Sequence, residues 1–197
     1  MNFLNRNNYQ NNYANINFKG KKPDEEVVLL LRRHWLVFVF KFLPFLVLIL
    51  ALVTVNEFGT KFANSLGLDI VVFYFIESFL AIFLWLAAFI TWVNFYLDIW
   101  IVTDNRIINI EQKALFSRYI SELKHNKIQD VTSEVKGLIP TLFRYGDIFI
   151  QTAGNKERFI FKQIPHPNQT RNLIMQLQKR AILEEKREEG EILRGKG

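Results

Sequence analysis

Two apolar runs, 34–55 and 70–97, constrain this chain more than any other feature in it. At a rise of about 1.5 Å per residue, each is long enough as a helix to cross a hydrocarbon core about 30 Å thick. Helices buried in soluble proteins rarely stay apolar on every face for that length, so the pair reads as a transmembrane hairpin and not as two core helices. The connection, 56–69, is short and polar, with Gly59 and Gly67 as breakers, and is too small to be an external domain. A mean hydropathy of +0.07 averages this greasy third with two polar flanks and describes neither.

The formal net charge is +6, and its placement matters more than its size. Residues 1–33 hold six Lys/Arg and three Asp/Glu, 98–197 hold seventeen and thirteen, and the stretch between holds two and three. Basic flanks stay on the cytoplasmic side, so a multi-pass protein of the cell membrane with both termini in the cytoplasm is expected. Trp35 on one span, and Trp92, Tyr96 and Trp100 at the end of the other, suit an inner aromatic belt. Lys41 lies about 10 Å inside the first span, close enough for its ammonium to snorkel back to the headgroups. Pro44 follows it and is expected to kink the helix locally. Glu77 sits near the outer end of the second span, at a depth differing from Lys41 by about 10 Å, so direct pairing would need a register shift. Two helices with one misaligned pair make a poor transport path, and a small transporter component ranks below the readings that follow.

The flanks differ in kind. Residues 1–22 are rich in Asn, lack the continuous apolar stretch of a signal peptide and read as a disordered tail. In 23–33, Pro23 and the acids Asp24, Glu25 and Glu26 resemble a helix start, so a juxtamembrane helix is expected there. It would carry Arg32 and Arg33 to the inner leaflet, either to meet anionic headgroups or only to fix topology. From Asp98 the pattern alternates: Ile99 and Ile101 face one way, Trp100 and Val102 the other, as in a strand. Asp104-Asn105 is expected to turn, since both residues tolerate positive φ. Further strands are expected at 106–111, 115–123, 128–135, 147–152 and 158–162, with 137–145 as an irregular connection or a single helical turn. Pro167 suits the first turn of a helix to about Glu189, on which Leu173, Leu177 and Ala181 form one apolar stripe. The domain 98–189 therefore reads as an antiparallel barrel or sandwich whose open end is plugged by that helix, followed by a disordered tail, 190–197.

Little here suggests catalysis. There is no cysteine, which removes disulfides, thiolate nucleophiles and Cys-based zinc sites. His34, His125 and His166 show no metal-ligand spacing, and no Gly-rich phosphate loop precedes a helix. Ser117 and Ser121 lack the setting of a nucleophile elbow. Asp130 and Glu134 share a strand face and read as surface charge. The chain is read as a non-enzyme without cofactors.

Several stretches, in order, carry a resemblance: WIVTDNRII (100–108), IQDV (128–131), LFRYGD (142–147) and QTAG (151–154). They resemble the bacterial pleckstrin-homology (PH) domain of YdbS-like membrane proteins, whose usual layout also includes an RRHW-type lead (32–35) into paired spans. The resemblance covers most of 24–177. It implies an α+β membrane protein: a two-helix transmembrane hairpin followed by a PH-like antiparallel β-barrel of about seven strands, capped by a C-terminal α-helix. It implies no reaction. Its signature positions are Trp100, Asp104, Arg106, Gly146 and Asp147, for which structural roles are expected: an aromatic at the interface, a turn pair, a glycine before a strand.

Eukaryotic relatives of the fold often grip phosphoinositides with basic side chains around the first strand turn. This turn offers only Arg106 beside Asp104 and Asn105. A diffuse basic face from Arg32, Arg33, Arg118, Lys124, Lys127 and Arg144 remains, at about 1 kcal/mol per side chain near an anionic surface. Nucleic-acid binding is the other meaning of a pI near 9.5, but membrane topology explains the basic flanks more simply. The expected function is a membrane-anchored interaction or scaffold module on the cytoplasmic face. It would bind a protein partner or a second copy, in contact with membrane lipids; the alternative is an anionic-lipid-binding accessory protein of the cell envelope.

Overall fold

The computed structural model describes residues 20–65, 67, 69–114, 117–152 and 159–195. The chain divides into two units: a helical hairpin, 35–97 with 113–117, and a head built from the chain on both sides of that hairpin.

In the hairpin, α1 (Trp35–Ser65) and α2 (Ile70–Leu97) are both long and apolar enough to cross a membrane. Leu, Val, Ile and Phe side chains are exposed along both, and α2 buries no residue. The expected loop at 56–69 is a correction: α1 continues to Ser65 through Asn56, Glu57 and Gly59. Gly59 is a close-packing residue and not a breaker, because a Cβ there would lie 2.8 Å from Cζ of Phe73 on the other helix. Asn56 donates to the Glu77 carboxylate at 2.8 Å, which gives that acid a partner other than Lys41. Phe38 stacks on Phe42 at 4.2 Å and meets Phe95 at 5.4 Å. Pro44 is held inside α1 without ending it.

Among the described residues the head holds seven strands, and the first of them corrects the expected juxtamembrane helix. Residues Val27–Arg32 form β1, which pairs antiparallel with β2 (Ile99–Thr103): Leu30 lies opposite Ile101, Leu31 opposite Trp100 and Arg32 opposite Ile99. An unbroken VVLLL run suits a strand covered on both faces. Leu29 and Leu31 enter the main core, while Val27 and Leu30 join a smaller cluster with Ile99, Ile101, Ile108 and Ile110. The sheet continues through β3 (Arg106–Ala114) and β4 (Ser117–Lys124), in the order β1-β2-β3-β4. The turn between β2 and β3 falls at Asp104-Asn105 as expected, yet neither residue has positive φ.

After a 3-10 turn at His125–Lys127, a second antiparallel sheet forms from β5 (Ile128–Glu134), β6 (Tyr145–Thr152) and β7 (Phe159–Pro165). A six-residue helix, α3 (Leu138–Phe143), lies between β5 and β6. Of the expected barrel or sandwich, the structure shows two sheets packed over one core, which includes Trp100, Val102, Ile107, Val131, Ile148, Ile150, Phe161 and Ile164.

The last helix, α4 (Pro167–Arg194), runs past Glu189 into the stretch expected to be a disordered tail. It buries Thr170, Ile174, Leu177 and Gln178, a stripe turned slightly from the one the sequence suggests. It also serves the edge of β5. Arg171 Nε donates to the Val131 carbonyl at 2.8 Å and Gln178 Nε2 to the Ile128 carbonyl at 2.7 Å. Seven residues of helix and three of strand both span about 10 Å, so the two side chains reach two carbonyls three residues apart on an edge that would otherwise be open to pairing.

Candidate functional site

Two of the signature residues, Asp104 and Arg106, meet around the lead-in to β1. Glu25, buried just before that strand, accepts from Arg106 Nε and Nη2 at 2.9 Å each, from the Thr103 hydroxyl at 2.8 Å and from the Lys22 N–H at 3.1 Å. Arg106 also donates through Nη1 to Glu122 and through Nη2 to the Gly20 carbonyl, both at 2.6 Å. Four of its five N–H groups are thus engaged. Burial pushes the Glu25 carboxyl up, but the bonds from Arg106, the Lys22 N–H and Thr103 outweigh it and hold the carboxyl below its ordinary value. The bond to Glu25 raises the Arg106 guanidinium in turn, against burial.

Asp104 completes this end of the latch. Its carboxylate accepts the Glu26 N–H, and its own N–H donates to the Glu26 carbonyl, both at 3.1 Å. Residues 20–22, expected in a free tail, are therefore tied to the β2–β3 turn; 1–19 lie outside the described residues.

The other end of β1 is held by the second signature pair. At Gly146 β6 lies tight against the end of β5: a Cβ there would lie 2.3 Å from the Glu134 carbonyl oxygen. Here the register between β6 and β7 shifts, and Asp147 accepts the Gln163 N–H at 2.7 Å. That bond supports Gln163 at φ +56, a strained value for a side chain larger than glycine. The Gln163 carbonyl in turn accepts the His34 N–H at 2.7 Å, and the His34 ring stacks on Tyr145 at 4.9 Å. Arg33 pairs with Asp98, which also accepts the Gln112 N–H at 3.1 Å.

A family model for the bacterial PH domain matches residues 36–178. The chain belongs to the bacterial PH domain family. A solved DUF1696 family protein with a pleckstrin-homology domain, from Shewanella loihica PV-4, is similar at 13% identity, covering 41% of this chain and 70% of that one with a TM-score of 0.35. No curated protein matches the chain in sequence.

Within this PH head, Trp100 corrects one expectation: it is buried against Phe161, ring centres 5.5 Å apart, and belongs to the core and not to an aromatic belt. The expected basic face does not converge. Arg33 is paired with Asp98. Lys124 and Lys127 flank the turn before β5, whereas Arg144 follows α3 beyond its far end, about 20 Å away for a seven-residue strand. Arg32 is exposed at the end of β1, and the Arg118 side chain lies outside the described residues.

Asp130 and Glu134 do share a face, as expected of surface charge. With Thr132, Phe149 and Gln151 they line a shallow hollow on the outer side of the second sheet. Glu134 is paired with Lys136 at 2.6 Å, and Asp130 accepts the Thr132 hydroxyl at 3.0 Å.

His125 is buried, with Nε2 2.9 Å from the Thr103 carbonyl, an oxygen to which the ring can only donate. Burial lowers its pKa, against the pull of that hydrogen bond and of Asp104. Among the described residues, no cluster of three or more His, Asp or Glu side chains could hold a metal ion.

Proposed function

We propose that this bacterial PH domain protein is a membrane-anchored interaction module. α1 and α2 cross the cell membrane as a hairpin, both termini and the head lie on the cytoplasmic side, and the head binds a protein partner or a second copy without catalysis. The exposed apolar surfaces of both helices and the basic excess of the flanks support the anchor.

The observation that carries the choice of partner is the occupancy of Arg106. Arg106, the cation at the β2–β3 turn itself, is consumed by Glu25, Glu122 and a carbonyl, so it offers nothing to a lipid headgroup. Of the expected basic face, Lys124 and Lys127 lie at the opposite end of β5 from Arg144, which favours a protein surface over a headgroup pocket.

Photo-crosslinking side chains at Thr132 and Gln151 of the full chain, activated in native membranes, test this. A discrete adduct with a protein, or with a second copy, is expected. No protein adduct, together with salt-sensitive binding to anionic vesicles but not neutral ones, would replace the proposal with lipid recognition. Tags at Gly67 and at the C-terminus should report opposite sides of the membrane; both on one side would refute the hairpin topology.

A further inference from the structure

We infer that α3 is a membrane wedge, dipping into the headgroup region of the leaflet from which the hairpin starts. This rests on the membrane reading above. Leu138 and Leu142 share one side of the helix and are 90% and 75% exposed, and Ile139 and Phe143 on the adjoining side are exposed as well. A run of large apolar side chains is a costly thing to present to water, and its position in the head names what covers it.

Tyr145, two residues after Phe143 and so within about 7 Å of chain, stacks on His34. His34 is the last residue of the head before α1 begins at Trp35. The Arg144 carbonyl accepts the His166 N–H at 2.9 Å, and the Gln163 carbonyl accepts the His34 N–H at 2.7 Å, which fixes the end of α3 to this same corner. Thus the apolar helix lies at the end of the head where the chain passes into its first apolar span. Arg144, exposed at the close of α3, suits anionic headgroups at that level. The bilayer is the occupant that this corner must already meet. A wedge there gives the head a second hold on the surface and fixes which of its faces looks into the cytoplasm.

Because the chain has no cysteine, one probe can be placed at will. Full-length Leu142→Cys, Gln151→Cys and Ile49→Cys variants, each labelled with an environment-sensitive fluorophore, are reconstituted in mixed neutral and anionic phospholipid vesicles containing nitroxide lipids. Gln151 lies six residues along β6 from Tyr145, about 20 Å from this corner. The expected result is blue-shifted emission at 142, quenched best by nitroxides about 5–10 Å below the headgroups. Position 151 should stay unquenched, and 49 should be quenched by deep nitroxides. Quenching at 49 without quenching at 142 overturns the wedge and leaves the anchor intact. No quenching at 49 overturns the anchor itself. Shielding at 142 that depends on protein concentration and ignores the nitroxides overturns the wedge in favour of a second copy. Leu138→Asp, on an exposed side chain, should abolish quenching at 142 while 49 stays inserted.

Discussion

Replacing Arg106 by Met tests whether the signature arginine is a latch for β1. The substitution keeps an unbranched apolar stem and removes the guanidinium with its charge. The Glu25 carboxylate, with its side chain fully buried, would keep two of its four hydrogen bonds, those from Thr103 and the Lys22 N–H. Breaking a buried ion pair from one side costs about 3–5 kcal/mol. The carboxyl has one escape: it can take up a proton, which for a group of pKa about 4.3 at pH 7 costs about 3.7 kcal/mol. The penalty should therefore settle at about 3–4 kcal/mol at pH 7 and shrink by about 2.7 kcal/mol at pH 5. Hydrogen exchange of the full chain in detergent, read on peptides covering 27–32 and 99–103, measures it directly. Protection there should fall by about two to three orders of magnitude at pH 7. A Glu25→Leu/Arg106→Met double variant should recover most of the loss, since neither charge is then left unpaired. Protection unchanged within about twofold in Arg106→Met, or losses that simply add in the double variant, would refute the latch.

Gly146→Ala should destabilise the head by about 1–3 kcal/mol or more, because the new methyl meets the Glu134 backbone and not a flexible side chain; denaturant titration of the full chain in detergent gives the value. Acidification should weaken the head in two steps. His125 has a lowered pKa, so its contribution is intact above about 6.5 and falls as the pH drops from there through the folded value. Glu25, also lowered, is lost only at pH below about 4.3. Unfolding midpoints from about pH 8 to about pH 2 should show both steps, and a His125→Gln variant should lack the upper one.

The hairpin is legible in the sequence because continuous apolar length is a local property. Its turn is not: Asn56, Glu57 and Gly59 look like a loop, yet Asn56 has a partner in Glu77 and Gly59 fits beside Phe73, both on a helix that a local pattern cannot see. The alternation of β2 reads correctly because one face joins the main core and the other a smaller cluster of isoleucines. β1 is hidden for three physical reasons. Its VVLLL run is covered on both faces and does not alternate. It follows Pro23 and three acids, which imitate a helix start. Its partner β2 lies across the whole hairpin, with Leu30 opposite Ile101. The signature residues were visible but their purpose was not, because Asp104 and Arg106 act on residues 20–26, and Asp147 acts on His34 through Gln163.

Since β1 precedes the hairpin, a head cut at residue 98 lacks a strand, and this gives the sharpest test of the architecture. Val27, Leu29 and Leu31 are all buried, and each such side chain stabilises by about 1.5–3 kcal/mol. Their sum, about 5–9 kcal/mol, is comparable to the total stability of about 5–15 kcal/mol of an ordinary domain. The fragment 98–195 should therefore fail to fold, with the β2 edge and Trp100 bared to association. Joining 20–34 directly to 98–195 through a short Asn-Gly turn should restore it, because Arg32 and Ile99 are already opposite one another and need only a tight reversal. Size-exclusion chromatography and dispersed amide signals would report a folded monomer for the joined chain and aggregate for the fragment. If the two behave alike, β1 is not a strand that the head requires. The latch of Glu25, Asp104 and Arg106 would then hold something that the fold does not need.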